Sequence, residues 1–255
     1  MKNSVLLLAC LFSVTLAKSQ VVDADEIMRK AKNGEDIRYE NVTVRGVVDL
    51  TPWLEERDDL PRKSWFSMGD NQIENTMRGK ITFINCQFDD DFLAYYYDDR
   101  SEFVFVSHFD RDVVFKNCTF KRDAAFKYSE FEGDVDFSNS TFNDDVNFKY
   151  AEFDDQVSFA NTSFDEDADF KYAEFDESVD FSKTRFDETA NFKYAEMRNG
   201  VKFTDAVFDG FWDLKYAEMD DEVDLSGINV NHDLDTKYTK INGKGFNRYL
   251  LSGND

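Results

Sequence analysis

Large apolar residues recur along most of this chain at alternating intervals of five and six. A helical stripe repeats near 3.6 residues and an ordinary strand near 2, so neither element explains these intervals. A smaller apolar or hydroxyl residue stands two positions before most of them, as at Ala151 and Val157. The pattern predicts short sides that each turn one large and one small side chain inward. The proposed structural core includes Phe126, Phe137, Phe148, Phe159, Phe170, Phe181 and Phe192.

These intervals belong to a longer repeat of 22 residues. The segment Lys-Tyr-Ser-Glu-Phe at 127–131 returns at 149–153, 171–175, 193–197, 215–219 and 237–241, with small changes. Four sides would make one coil, and successive coils would stack as parallel strands about 4.8 Å apart. Equivalent residues then form columns along a rod.

The repeats resemble the pentapeptide-repeat family, in a variant with an 11-residue double unit and Phe in place of the usual central Leu. The resemblance covers roughly residues 83–241, and Tyr39, Val44 and Leu50 follow the same spacing earlier in the chain. It implies an all-β fold, a right-handed quadrilateral parallel β-helix with about 22 residues per coil. It implies far less about activity, because one fold supports many functions.

The pattern also predicts where the rod begins and ends. We expect a short N-terminal helical cap at 20–36, with Asp23 as its N-cap, and a β-helix at 37–241. A C-terminal cap is expected at 242–255, because Gly243 and Gly245 break the lattice. Within it, residues 246–251 are a candidate apolar plug.

Two insertions interrupt the lattice, at 51–80 and at 89–103. The first contains both prolines of the chain, Pro52 and Pro61. The second carries about ten extra residues. It contains Tyr95, Tyr96 and Tyr97, which either fold back on the rod as a side cap or form a partner-binding tip.

An outward column of tyrosines follows a column of lysines, and glutamates end the same side. The column includes Tyr150, Tyr172 and Tyr194, which are further candidates for partner binding. Stacking of these rings on one another explains the column without any function. Alternatively, a ribbon of aromatic rings receives a sugar or a flat protein surface.

The first residues are typical of a secretory signal peptide. Lys2 precedes an apolar run at 5–17, and small residues at Ala17 and Ser19 predict cleavage before Gln20. We therefore expect export to the periplasm or cell surface after removal of residues 1–19. An alternative is a lipoprotein box that would place a lipid anchor on Cys10. No other segment is long and apolar enough to predict a transmembrane span.

The charge narrows the choice of partner. The chain has 30 basic and 53 acidic residues, a net charge of −23. Cleavage would remove Lys2 and Lys18 and no acid, leaving 28 basic against 53 acidic residues, or −25. Such a charge argues against direct binding of nucleic acid. Cys86 and Cys118 occupy matching motifs, and we expect two stacked, buried thiols.

The sequence contains no recognisable catalytic motif, metal site or cofactor site. His108 and His232 are its only histidines, and neither neighbours a nucleophile. Paired carboxylates recur with the repeat, as expected for solvated corners, although weak calcium binding by stacked carboxylates is an alternative. We therefore expect no enzyme activity and no cofactor.

The favoured function is an exported, non-catalytic structural or protein-interaction rod with an acidic surface, whose partner is an unknown protein or a surface glycan. One alternative is implied by the resemblance: some cytoplasmic family members are acidic mimics of DNA that inhibit a topoisomerase. Export would place this chain in another compartment. The second alternative, a β-helix enzyme that acts on polysaccharides, lacks a non-repeating acidic cluster within the rod.

Overall fold

The structure, a computed structural model, describes residues 20–52 and 71–247. These residues contain one α-helix and many short strands, most of them two residues long. The elements are β1 (Gln20–Asp23), α1 (Ala24–Lys32), β2 (Ile37–Glu40), β3 (Val42–Arg45), β4 (Val48–Asp49), β5 (Gln72–Met77), β6 (Ile81–Ile84), β7 (Gln87–Phe88), β8 (Phe92–Leu93), β9 (Tyr95–Asp98), β10 (Phe103–Phe109), β11 (Val113–Lys116), β12 (Thr119–Phe120), β13 (Ala124–Ala125), β14 (Glu130–Phe131), β15 (Val135–Asp136), β16 (Thr141–Phe142), β17 (Val146–Asn147), β18 (Glu152–Phe153), β19 (Val157–Ser158), β20 (Ser163–Phe164), β21 (Ala168–Asp169), β22 (Glu174–Phe175), β23 (Val179–Asp180), β24 (Arg185–Phe186), β25 (Ala190–Asn191), β26 (Glu196–Met197), β27 (Val201–Lys202), β28 (Val207–Phe208), β29 (Trp212–Asp213), β30 (Glu218–Met219), β31 (Val223–Asp224), β32 (Asn229–Val230), β33 (Leu234–Asp235), β34 (Lys240–Ile241) and β35 (Lys244–Gly245).

The strands form four sheets, which are the four sides of a β-helix. Side 1 runs from β2 through β6 and β11 to β31, and side 2 from β1 through β3 and β7 to β32. Side 3 runs from β4 through β8 to β33, and side 4 from β5 through β10 to β34 and β35. The predicted four-sided parallel β-helix is confirmed.

The register confirms that 22 residues make one coil. Val135 pairs with Val157 on side 1, and Thr141 pairs with Ser163 on side 2. Equivalent residues of successive coils are therefore direct neighbours across parallel strands, as a coil of constant length requires.

Stacked phenylalanine rings fill the interior. The seven predicted core phenylalanines are fully buried, each with 0% exposure. The ring of Phe159 lies 5.3 Å from Phe137 and 5.1 Å from Phe181, nearly parallel to both. It also meets Phe170 of a neighbouring column edge to face at 5.4 Å. Each ring thus combines burial with favourable aromatic geometry.

The N-terminal end is covered by α1 and β1 together. The Asp23 carboxylate accepts a hydrogen bond from the Asp25 N–H at 3.0 Å, which caps the helix. Ala24, Ile27 and Ala31 join the core. The sequence analysis expected only helix here. Instead, β1 adds a parallel strand to side 2 beyond β3, because its backbone completes that ladder.

At the other end a hairpin follows the last coil. Strand β35 runs antiparallel to β34, and Asn242 and Gly243 between them have φ of 48° and 70°. These values fit the two-residue turn that Asn-Gly favours. The sequence analysis took Gly243 only as a break in the lattice. Phe246 is buried against the core, whereas residues 248–255 of the expected cap and plug lie outside the described residues.

Both insertions are shorter than the expected 51–80 and 89–103. Strand β5 lies within the first range but pairs with β10 on side 4, where Met77 is buried. Strand β8 lies within the second range but pairs with β4 and β13 on side 3, where Phe92 is buried. In both cases the backbone ladder and an inward side chain place these residues in the coil. Residues 53–70, including Pro61, lie outside the described residues.

The register also measures the insertions. Ile37 pairs with Ile81, 44 positions later, so the first coil carries 22 residues more than its neighbours. Phe83 pairs with Phe115, 32 positions later, which confirms an insertion of ten residues in the next coil.

The two cysteines are free and buried, as expected. The Cys86 thiol donates to the Ile84 carbonyl at 3.2 Å, and the Cys118 thiol donates to the Lys116 carbonyl at 3.4 Å. A hydrogen bond with Cys86 and burial both raise the pKa of the Cys118 thiol. This thiol therefore stays protonated at neutral pH.

Replacement of Phe159 by Ala should lower the free energy of unfolding by about 3–5 kcal/mol, because rings above and below cannot collapse into the gap. Urea unfolding measures the change. Ser158→Ala, on the outward face of the same strand, is the control and should change it by no more than about 0.5 kcal/mol. A loss below about 1 kcal/mol for Phe159→Ala would sink the stacked-core account.

Candidate interaction surface

Six tyrosines form a column at the corner between sides 3 and 4. Each occupies the third position of a tight turn: in the turn of Tyr150, the Ala151 N–H donates to the Phe148 carbonyl at 3.0 Å. Their φ values lie between 58° and 65°. The sequence analysis expected this column on a flat outward side, but the turn places it at a corner. The tyrosine column consists of Tyr128, Tyr150, Tyr172, Tyr194, Tyr216 and Tyr238.

The left-handed backbone does not by itself select tyrosine. This conformation is unfavourable for residues with a side chain by about 1–2 kcal/mol, and Gly, Asn and Asp tolerate it best. The corner between sides 1 and 2 has the same conformation but carries mainly such residues, namely Asn117, Asn139, Asn161, Lys183, Asp205 and Gly227. Interactions among the tyrosine side chains must therefore offset the backbone strain.

Those interactions are ring stacking. Neighbouring centroids lie 4.7–5.0 Å apart, and neighbouring ring planes differ by at most 21°. The face of each inner ring is covered by its neighbours, so its edge and hydroxyl point outward. A sugar therefore cannot stack on Tyr150, Tyr172 or Tyr194, whose ring faces are occupied.

A column of lysines runs beside the tyrosines. Each ammonium nitrogen lies 4.8–5.7 Å from the ring centroid of the next residue, a cation–π distance. Among the described residues, no carboxylate lies within the 4.0 Å ion-pair distance of these ammonium groups. The lysine column consists of Lys127, Lys149, Lys171, Lys193, Lys215 and Lys237.

A column of glutamates flanks the tyrosines on side 4. Their backbones pair in register along β14, β18, β22, β26 and β30. Burial, with the neighbouring carboxylates of Glu174 and Glu130, raises the pKa of Glu152. The same kind of crowding raises the pKa of Asp154. The glutamate column consists of Glu130, Glu152, Glu174, Glu196 and Glu218.

Cations relieve the glutamate column toward one end. The Arg198 guanidinium contacts Glu174, Asp176 and Glu196, and the Lys240 ammonium lies 2.5 Å from the Glu218 carboxylate. These pairs leave the middle of the column, around Glu152, as its most crowded part.

His108 stands before Glu130 on side 4. Its side chain is only 18% exposed, and its Nδ1 accepts a hydrogen bond from the Glu130 N–H at 3.2 Å. The sequence analysis expected an ordinary surface histidine. No sequence signal marked this contact, because the ten-residue insertion hides the distance of one coil between His108 and Glu130.

The three insertion tyrosines divide between the two readings. Tyr95 folds back: its ring lies 6.0 Å from the Tyr128 ring, and the Lys127 ammonium lies 4.9 Å from its centroid. Burial raises the pKa of Tyr95. Tyr96 and Tyr97 are 38% and 45% exposed. The hairpin of β9 and β10 thus extends the tyrosine column by one ring and leaves two tyrosines accessible.

Other chemistry has little support in the described part of the chain. No group of three or more His, Cys, Asp or Glu residues there is arranged to hold a metal ion. Within residues 20–52 and 71–247, no helix has the length and apolar character needed to cross a membrane.

We predict that Glu152→Gln stabilises the rod at pH 7. The pKa of this acid is raised in the folded state, so its ionisation opposes folding as pH rises through that range. Removal of the charge should raise the free energy of unfolding by up to about 1 kcal/mol, and the gain should shrink as the pH falls and wild-type Glu152 becomes protonated.

Glu218→Gln is the matched control, because Glu218 already pairs with Lys240 and should not stabilise on neutralisation. Thermal unfolding of both variants between pH 4 and pH 8 measures the difference. Destabilisation by Glu152→Gln at pH 7 would contradict the crowding of charges in this column.

Comparison with known proteins identifies the repeat. A family model described as "Pentapeptide repeats (9 copies)" matches residues 107–152 and 148–196. These residues begin within β10 and end in β26, in the regular part of the β-helix. No curated protein and no solved structure matches the chain. The repeats at residues 107–196 therefore belong to the pentapeptide-repeat family.

Proposed function

We propose that this protein is an exported, non-catalytic rod that acts by binding a partner at the tyrosine corner, the surface made by the tyrosine, lysine and glutamate columns. The family supports a structural or protein-interaction role in general. The observation that carries the finer proposal is the tyrosine column itself, since six rings are kept in an unfavourable backbone conformation at one corner only.

The repeated geometry supports binding rather than turnover. Catalysis requires a non-repeated cluster of groups with matched ionisation, whereas each coil here presents nearly the same groups as the next. Proteins built from pentapeptide repeats are generally non-catalytic. A surface that repeats every coil suits an extended partner that is contacted at several equivalent points.

The surface favours a protein over a glycan as partner. Sugars bind aromatic side chains through ring faces, and the faces within the tyrosine column are covered. The exposed edges and hydroxyls, flanked by columns of both charges, match the mixed polar contacts of protein interfaces. Tyr96 and Tyr97 provide an additional accessible aromatic patch.

Export is supported by the sequence of residues 1–19, which lie outside the described residues. Gln20, the residue after the expected cleavage position, is the first residue of β1, so cleavage there would leave the rod complete at this end. The lipid anchor on Cys10 remains the alternative to a freely exported form.

Fractionation of expressing cells tests the proposal. We expect the protein outside the cytoplasm, with a mature chain that begins at Gln20 by N-terminal mass spectrometry. A Leu7→Arg, Leu8→Arg variant should remain uncleaved in the cytoplasm, because charges interrupt the apolar run. An acylated chain that begins at Cys10 would support the lipoprotein alternative. An intact wild-type chain in the cytoplasm would overturn export.

A further inference from the structure

We propose that the partner of the tyrosine corner is a second copy of this chain. Two rods would lie side by side and run in the same direction, with their tyrosine columns facing each other. The lysine column of each copy would face the glutamate column of the other. This inference rests on the binding role proposed above and names the partner.

The first argument is that the two charged columns share one repeat. Lys149 and Glu152 flank Tyr150 in one coil, and each has an equivalent in the neighbouring coils at the same strand spacing. Like charges at this spacing repel each other. A partner with the opposite charges at the same spacing relieves both columns at once.

The second argument is that the chain does not satisfy these charges internally. No lysine of the column has a carboxylate at ion-pair distance among the described residues, and Glu152 lies among like charges. The turn at Tyr150 separates Lys149 from Glu152, so the two columns stay apart within one copy. Their remaining binding capacity points outward.

The order of the columns fixes the orientation. Across the corner the order is lysine, tyrosine, glutamate. A twofold axis parallel to the rods brings lysine opposite glutamate on both flanks. Antiparallel rods would instead place lysine opposite lysine. A twofold contact of this kind is self-complementary and stops at a dimer.

Other occupants fit less well. A linear polyanion would be attracted by the lysines but repelled by the adjacent glutamates and by the net charge of −23. The same net charge opposes pairing of two copies, but at physiological ionic strength charges farther apart than about 8 Å are largely screened. Pairs in direct contact are screened less. We therefore expect a weak, concentration-dependent dimer.

A charge exchange tests the pairing by sedimentation equilibrium in 0.15 M salt, over a wide range of protein concentration, with the protein as purified from expressing cells. One variant carries Lys149→Glu and Lys171→Glu. The other carries Glu152→Lys and Glu174→Lys. Arg198 keeps Asp176 and Glu196 as partners in the second variant. Each variant alone should dimerise at least tenfold more weakly than wild type.

An equimolar mixture of the two variants should form a heterodimer, because acidic columns of one then face basic columns of the other on both flanks. The control is Lys183→Glu with Lys202→Glu, which makes the same charge change on other sides of the rod and should dimerise like wild type. Circular dichroism verifies that all variants fold.

A wild-type protein that stays monomeric throughout, or a mixture no heavier than its separate components, would overturn the inference. So would a wild-type dimer that neither variant weakens. Any of these results leaves the proposed export and binding role standing, because fractionation tests export separately and a different partner would then occupy the corner.

Discussion

The constraint on which this structure depends is constant coil length. Parallel strands bond in register only if each coil brings the chain back to the same place, and here it does so after 22 residues. A residue that faces inward in one coil then lies on its equivalent in the next. Phenylalanine uses this arrangement well, since a flat ring stacks on its copy and meets the adjoining columns edge to face.

The same constraint acts on the surface. Any outward residue in the repeat becomes a column of like groups at strand spacing, whether its chemistry tolerates this or not. Tyrosine tolerates it by stacking, even in a left-handed turn. Glutamate does not, and its column is relieved by departures from the repeat at Arg198 and Lys240. The surface therefore records a conflict between structural repetition and electrostatics.

Much of the fold was predictable because a lattice of apolar residues is a sequence property. The stacked Phe159 and Phe181 follow from counting alone. Strand β5 was not predictable in this way, since an insertion precedes it and its pairing with β10 depends on tertiary contacts. Phe92 was hidden behind a run of aspartates, although its backbone completes side 3. The Asn242-Gly243 turn had a local signal that the lattice analysis did not use.

The candidate surface was predictable only in its composition. The columns around Tyr150 are visible in the repeat, but the turn that places them at a corner is not. The covered ring faces and the unpaired lysines emerge only when side-chain distances are known. These distances changed the interpretation of the surface from a sugar-binding ribbon to a protein-binding corner.

Deletion of one coil tests the central claim most directly. Removal of residues 150–171 joins Lys149 to Tyr172 and keeps every later residue in its column. Removal of residues 150–169 joins Lys149 to Phe170 and shifts every later side chain by two positions. By small-angle scattering and thermal unfolding, the first protein should remain a folded rod, shorter by about 4.8 Å, with a cooperative transition. The second should lose it. Equal stability of the two deletion proteins would contradict the account.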